Sequence, residues 1–124
     1  MNLSKIITDA ELEVMKILWK SEVPLSSADI RHELQEQKKW GKSTVLTLLR
    51  RLADKNVISV QKGDLSYYTP NISEGDYIEQ QTQDMVDRLY GGSVKGLVAA
   101  LCDSKLTKED MEELRKYFIE GDKQ

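Results

Sequence analysis

The amino-acid sequence predicts a mostly α-helical α+β protein in which a small β-hairpin separates two groups of three helices. Apolar residues recur at helical spacing in six segments, most of which begin at a Ser or Thr cap. Two short segments of strand character, residues 57–61 and 65–69, flank the turn Lys62-Gly63-Asp64. With 124 residues, of which 40% are apolar and 31% charged, the chain has the material for one domain, or for one small domain with an appendage.

The first two helices begin at caps of the same kind. Residues 8–11, Thr-Asp-Ala-Glu, have the spacing of a capping box, and the helix after them runs to about Lys20 with a broad apolar face. Residues 26–29, Ser-Ser-Ala-Asp, open a second helix that extends to about Gln37. Its thin apolar stripe indicates that one side packs and the rest faces solvent.

A third helix, from about Lys42 to Asp54, follows a turn at Trp40-Gly41. Its buried stripe has i, i+3, i+4, i+7 spacing and consists of Val45, Leu48, Leu49 and Leu52. The opposite face and its flanks hold Ser43, Thr44, Leu46, Thr47, Arg50 and Arg51. Hydroxyl and guanidinium groups are suited to phosphates and base edges, so this face predicts contact with nucleic acid. Leu46 fits either a thymine-methyl contact or partial burial.

The hairpin completes a recognisable order of elements. Helix, helix, short turn, helix and β-hairpin, ending at Pro70-Asn71, is the outline of a winged helix-turn-helix. We expect Lys62, at the tip of the hairpin, to contact a phosphate. Tyr67 and Tyr68 alternate across the second strand, so one of them should face the core. Ser26, at the start of the second helix, fits either a phosphate contact or simple capping.

Charge is distributed unevenly along the chain, whose formal net charge is −3. Residues 1–70 carry 11 basic and 9 acidic groups, whereas residues 71–124 carry 7 and 12. Between Lys38 and Lys62 seven basic groups are opposed by Asp54 alone, which favours a polyanion-binding face over an ordinary solvated surface. The predicted DNA-binding residues are Lys42, Ser43, Thr44, Thr47, Arg50, Arg51 and Lys62.

Three more helices follow the hairpin. The first runs from a Ser73 cap to Tyr90 and stops at Gly91-Gly92; Ser93 and Thr107 cap the other two. About fifty residues seldom bury enough apolar surface to be stable alone, so we expect the helices of two copies to interleave, with packing on the N-terminal unit as the alternative. The predicted dimer-interface residues are Ile78, Met85, Leu89, Val94, Leu97, Val98, Leu101, Leu114 and Phe118.

These patterns predict a division into residues 1–71, a winged helix-turn-helix DNA-binding domain, and residues 72–124, a helical dimerisation domain. No apolar run approaches the roughly 20 residues of a membrane span, and we expect neither a secretory leader nor a membrane partner. The single cysteine, Cys102, cannot form an internal disulfide and fits a reducing cytoplasm. With one His and one Cys, we expect no metal site, no cofactor and no enzymatic activity.

The residues of four segments resemble the penicillinase-repressor family, the BlaI/MecI/CopY-type winged-helix transcriptional repressors of Gram-positive bacteria. They are Asp9 to Trp19 (DAELEVMKILW), Ser43 to Leu52 (STVLTLLRRL), Tyr67 to Asn71 (YYTPN), and Tyr90-Gly91-Gly92 with Leu97-Val98. The resemblance covers nearly the whole chain and rests on the joint pattern. It implies a homodimer, held by the C-terminal helices, that binds a palindromic double-stranded DNA operator and represses transcription.

The resemblance also implies a regulatory protease as a partner, because repressors of the penicillinase branch are cleaved in the dimer region. The corresponding bond here is Ala100-Leu101, where the best-known members have Asn-Phe. The sister branch, which represses copper-transport genes, ends in a pair of Cys-x-Cys motifs, and residues 118–124 contain no cysteine. In the third helix this chain has Ser43 where familiar members have a basic residue, and Leu46 where they have Arg.

Two other functions remain as alternatives. One is a copper- or redox-responsive repressor of the sister branch, acting through Cys102. The other is a winged helix whose basic surface binds an acidic protein. Salt-dependent binding of duplex DNA separates a DNA-binding repressor from a protein-binding module.

Overall fold

The structure is a computed structural model that describes residues 7–104 and 106–120. Along the chain the elements are α1 (Asp9–Lys20), β1 (Leu25–Ser26), α2 (Ser27–Leu34), α3 (Lys42–Asp54), β2 (Ile58–Gln61), β3 (Tyr67–Pro70), α4 (Glu74–Tyr90), α5 (Val94–Cys102) and α6 (Lys108–Glu120). This order confirms the predicted α+β fold with a winged helix-turn-helix followed by three helices. The chain divides into two units, one ending at Gln81 and one beginning at Thr82.

The predicted capping boxes of α1 and α2 are both present. The Glu11 N–H donates to Thr8 Oγ1 at 3.2 Å, and the Thr8 N–H donates to Glu11 Oε1 at 2.8 Å. The Asp29 N–H donates to Ser26 Oγ at 3.2 Å, and the Ser26 N–H donates to Asp29 Oδ2 at 3.1 Å. These reciprocal bonds satisfy amides that the first turn of each helix leaves without a helical acceptor.

The helix α2 is shorter than the sequence predicts. It ends at Leu34 rather than near Gln37, and the Gln37 N–H donates to the Leu34 carbonyl at 3.0 Å in a tight turn. Beyond Leu34 no apolar side chain continues the stripe until Trp40, so packing does not hold another helical turn.

The helix α3 spans the predicted residues and ends in a Schellman motif. Asn56 has a φ of +63°, the left-handed conformation that stops a helix. The Val57 N–H donates to the Leu52 carbonyl at 3.0 Å, and the Asn56 N–H donates to the Ala53 carbonyl at 3.0 Å. Val57 and Leu52 are both fully buried, so this stop also places the start of β2 in the core.

The three strands form one antiparallel sheet in the order β1-β3-β2. In the wing, β2 and β3 pair with Ile58 opposite Pro70 and Gln61 opposite Tyr67. Compared with the expected strands at 57–61 and 65–69, β2 begins one residue later and ends at the same residue, and β3 begins two residues later and ends one residue later. Gly63 lies in the turn between these strands. Its φ is not positive, since the described residues with a positive φ are Asn56, Gly91 and Gly92. The turn therefore does not require the left-handed conformation at Gly63.

The sequence did not predict β1, which pairs Leu25 with Tyr68 on the free edge of β3. Two residues are too few to show alternation, and their partner lies far along the chain. Tyr68 is half-buried against the core while Tyr67 is 38% exposed, which confirms that one of the two tyrosines faces inward.

One core fills the first unit. Its buried apolar residues are Val14, Met15, Leu18, Ile30, Leu34, Val45, Leu48, Leu49, Leu52, Val57, Ile58, Ile72 and Tyr77. The last two lie beyond residue 71. The Trp19 indole N–H donates to the Ile72 carbonyl at 2.8 Å, and the rings of Trp19 and Tyr77 are centred 5.4 Å apart. These contacts explain why the first unit extends to Gln81 rather than ending at the sequence-based boundary.

The second unit holds the rest of α4 with α5 and α6. Gly91 and Gly92 have φ values of +58° and +86° and end α4 as predicted. Ser93 caps α5 by accepting from the Gly96 N–H at 3.0 Å. Thr107 and Asp110 exchange two bonds, of 3.0 and 3.2 Å, at the start of α6. Among residues 82–104 and 106–120, Val86 alone is buried, so the described part of this unit has no core of its own.

Candidate nucleic-acid interface

The helix α3 is held to the core by one face, which leaves the opposite face free. Val45, Leu48, Leu49 and Leu52 are buried, as the spacing predicts. Gly41 is the N-cap and makes no side-chain cap bond, so no cap side chain occupies the first backbone N–H groups of α3. Backbone amides at a helix start attract phosphate groups.

Four of the predicted DNA-binding residues lie together along one side of α3. Ser43, Thr44, Thr47 and Arg51, with Leu48 beneath them, line a shallow depression of about 240 Å³. Thr47 is half-buried, and the other three polar side chains are exposed. Three hydroxyls beside one guanidinium offer donors and acceptors for base edges, with a positive charge for a phosphate.

The remaining predicted residues of α3 form a second row. Lys42 and Arg50 are exposed and lie two helical turns apart, with Leu46 between them. Leu46 is 37% exposed. This exposure is compatible with both roles that the sequence allows for it, a contact with a thymine methyl group and partial burial. The structure therefore distributes the predicted set on two adjacent sides of the same exposed face.

The wing places Lys62 in the turn between β2 and β3, where its side chain is exposed. This turn forms a depression of about 420 Å³ lined by Gln61, Lys62, Gly63, Asp64, Leu65 and Tyr67. Asp64 places a negative charge near Lys62. Leu65 is 60% exposed and precedes β3, whereas the sequence predicts it as the first residue of a strand and assigns it no separate role.

Two polar residues of the N-terminal unit have partners within the fold. Lys55 is engaged: its Nζ lies 2.7 and 2.9 Å from the carboxylate oxygens of buried Glu11. Ser26, at the start of α2, is buried, and its hydroxyl accepts the capping bond from Asp29. Capping thus accounts for the Ser26 hydroxyl. Because Lys55 is paired with Glu11, the segment from Lys38 to Lys62 offers a ligand less positive charge than its seven basic residues suggest.

Trp40 is half-buried and packs against the core. Between α1 and α2 the structure also shows a cleft of about 520 Å³, which the sequence did not predict. It is lined by Glu13, Lys16, Ile17, Lys20, Ser21, Leu25, Asp29, His32, Glu33 and Gln37. Its mixed charges come from two solvent-facing helix sides, so no motif marks it in the sequence.

The predicted dimer residues lie on α4, α5 and α6. Ile78, Leu89, Val94, Leu101 and Phe118 are exposed, and Met85, Leu97, Val98 and Leu114 are half-buried. Within residues 94–102 and 108–120 no side chain is buried. A hollow of about 490 Å³ between α5 and α6 is lined by Leu101, Leu106, Asp110, Glu113, Leu114 and Tyr117. Several large apolar side chains of α5 and α6, among them Val94, Leu101 and Phe118, are thus exposed in the described chain.

The bond between Ala100 and Leu101 lies inside α5, with Ala100 half-buried and Leu101 exposed. Cys102, the last residue of α5, is an exposed free thiol. Within residues 7–104 and 106–120, no group of three or more His, Cys, Asp or Glu side chains is arranged to hold a metal ion. Nor does any helix in these ranges have the length and apolarity to cross a membrane.

Comparison with known proteins identifies relatives over most of the chain. The sequence model of the family described as "Penicillinase repressor" matches residues 7–120. The penicillinase repressor of Bacillus licheniformis is 36% identical over 116 residues, 92% of this chain and 90% of that protein. The methicillin resistance regulatory protein MecI of Staphylococcus aureus is 32% identical over 111 residues, 88% and 89% of the two chains.

A solved structure is similar to part of the chain. It is the solution structure of the DNA-binding domain of the repressor BlaI, which is 42% identical. The alignment covers 57% of this chain and 87% of that domain, with a TM-score of 0.52.

Proposed function

Because this chain belongs to the penicillinase repressor family, we propose that it is a homodimeric transcriptional repressor that binds a palindromic DNA operator. The observation that carries the proposal is the exposed face of α3, where Ser43, Thr44, Thr47 and Arg51 line one depression. The similarity to the BlaI DNA-binding domain supports the same use of this unit.

In the proposed mechanism, α3 enters the major groove and the wing contacts the flanking backbone. Thr47 and Thr44 read base edges, while Arg51, Arg50 and Lys42 bind phosphates or guanine. Lys62 adds a phosphate contact from the wing. The buried stripe of α3 holds this face rigidly on the core, so little order has to be created on binding.

The homodimer forms through α4, α5 and α6 in this proposal. The supporting observation is that their described residues expose several large apolar side chains, among them Leu89 and Val94, while burying little. Two copies would then present two α3 helices to successive major grooves, so a palindrome would be read by symmetry. Regulated cleavage at Ala100-Leu101 would separate the end of α5 and all of α6, with Leu101, Leu114 and Phe118, from the rest of this surface.

The experiment is selection of duplex DNA from a randomised pool of about 30 base pairs, three helical turns, by the full chain. We call the recovered sequence the selected duplex. The proposal expects two inverted half-sites and two chains for each duplex. Failure to recover any sequence, together with binding to acidic proteins, would favour the protein-binding alternative. Binding that requires copper or oxidation of Cys102 would favour the metal- or redox-responsive alternative.

A further inference from the structure

The second row of α3 contains an apolar side chain within a basic surface. Lys42, Leu46 and Arg50 recur every four residues and are all exposed. Within residues 27–54, all of which the structure describes, Leu46 is the one large apolar residue that is exposed, with 37% of its surface accessible to solvent. Its neighbours Val45 and Leu49 are buried, so the core does not need Leu46 for its own packing.

A leucine on a helix in the major groove has one favourable target. It forms no hydrogen bonds, so it leaves the polar edges of guanine, adenine and cytosine without partners when it covers them. The C5-methyl of thymine is the apolar group that the major groove presents. Lys42 and Arg50, on either side, would hold Leu46 against the base by binding phosphates.

We propose that Leu46 is a specificity-determining residue that recognises the C5-methyl group of a thymine in each half-site. This inference rests on the proposed function and goes beyond it, because it assigns one base position to a side chain that makes no polar contact. It predicts that the preferred DNA carries thymine at the position facing Leu46.

The test replaces the thymines of the selected duplex by deoxyuridine, one at a time. This change removes the methyl group and leaves the pairing and the O4 acceptor intact. For the wild-type chain we expect one symmetry-related thymine position at which replacement weakens binding about three- to fivefold for each half-site, the factor for losing the burial of one methyl group. In Leu46→Ala that sensitivity disappears, while the effects at other base pairs persist.

The matched control is Val23→Ala, which truncates an exposed apolar side chain between α1 and β1, in the same unit but outside α3 and the wing, and should keep the deoxyuridine effect. Circular dichroism and thermal unfolding establish that both variants fold. If the chain binds a selected duplex but Leu46→Ala shows the same deoxyuridine sensitivity as wild type, or wild type shows none, the inference is overturned and the proposed function stands. If the chain binds no duplex, both fail.

Discussion

Lys55 Nζ lies 2.7 Å and 2.9 Å from the two carboxylate oxygens of Glu11, which joins the C-terminal end of α3 to the first turn of α1. The Glu11 side chain is fully buried, whereas that of Lys55 is 27% exposed. Burial alone would raise the pKa of Glu11. The hydrogen bonds from Lys55 and Thr8 and the charge of Lys55 outweigh it and lower the pKa below its ordinary value. The ion pair therefore fixes the end of α3 relative to the core.

Replacing Glu11 by Gln should lower the free energy of unfolding at pH 7 by about 1–3 kcal/mol, because Lys55 loses its charged partner while the capping amide keeps an acceptor. The pKa of Glu11 is lowered in the folded state, so its contribution to stability is fully present above the ordinary pKa of 4.5. It is lost as pH falls through the folded pKa. Urea unfolding of both proteins from pH 7 to 3 should show the difference shrinking with acid. A constant difference would contradict this role.

Asn56 occupies the left-handed position that ends α3, with a φ of +63°. Asn56→Val should reduce stability by about 1–2 kcal/mol, because a β-branched residue is strained there. Asn56→Gly should change stability by less than about 1 kcal/mol. The side chain is exposed, so the comparison isolates the backbone. Equal effects of the two substitutions in thermal unfolding would show that φ is not the cause.

The proposed dimer predicts that Leu97→Asp or Leu101→Asp dissociates the protein, because a charge without a partner would be buried in the interface. Val23→Asp is the matched control, since Val23 is 65% exposed between α1 and β1. Light scattering at micromolar concentration should give a dimer for wild type and the control, and monomers for the other two. A monomeric wild-type protein would refute the interface.

The proposed phosphate contacts predict strong salt dependence of DNA binding. Each chain offers roughly three to five basic contacts, so the slope of log K against log salt for a dimer should be about −5 to −9. Lys62→Ala should flatten the slope by about one unit for each phosphate that is no longer neutralised, and it should weaken all sequences alike. Lys20→Ala, at the α1–α2 cleft, should leave the slope unchanged. A slope near zero for wild type would favour a protein partner.

The sequence predicted the parts of the fold that depend on local periodicity and caps. The bounds of α1 and α3 and the capping boxes agree with the structure because a buried stripe and a side-chain cap are both visible within one helix. The strand β1 was missed because its partner Tyr68 is distant in sequence. For the same reason, the packing of Ile72 and Tyr77 with α1 was not visible in the chain.

The sequence predicted part of the candidate site as well. The exposed face of α3 is a matter of helical geometry, so its residues could be named in advance. The sequence could not show which basic residues are available to a ligand, because Lys55 pairs with Glu11, which is 44 positions away in the chain. The grouping of Thr44 and Arg51 with Ser43 and Thr47 in one depression likewise depends on side-chain positions.

The central claim is that α3 reads DNA sequence, and the most direct measurement is the affinity of wild type, Thr47→Ala and Arg51→Ala for the selected duplex and all its single-base variants. Removal of a side chain that binds a base should cost about 1–3 kcal/mol for each half-site and relax the preference at one base pair. Lys62→Ala serves as the comparison that lowers affinity without changing preference. If both α3 variants keep their fold by circular dichroism and retain wild-type affinity and sequence preference, α3 does not read this DNA.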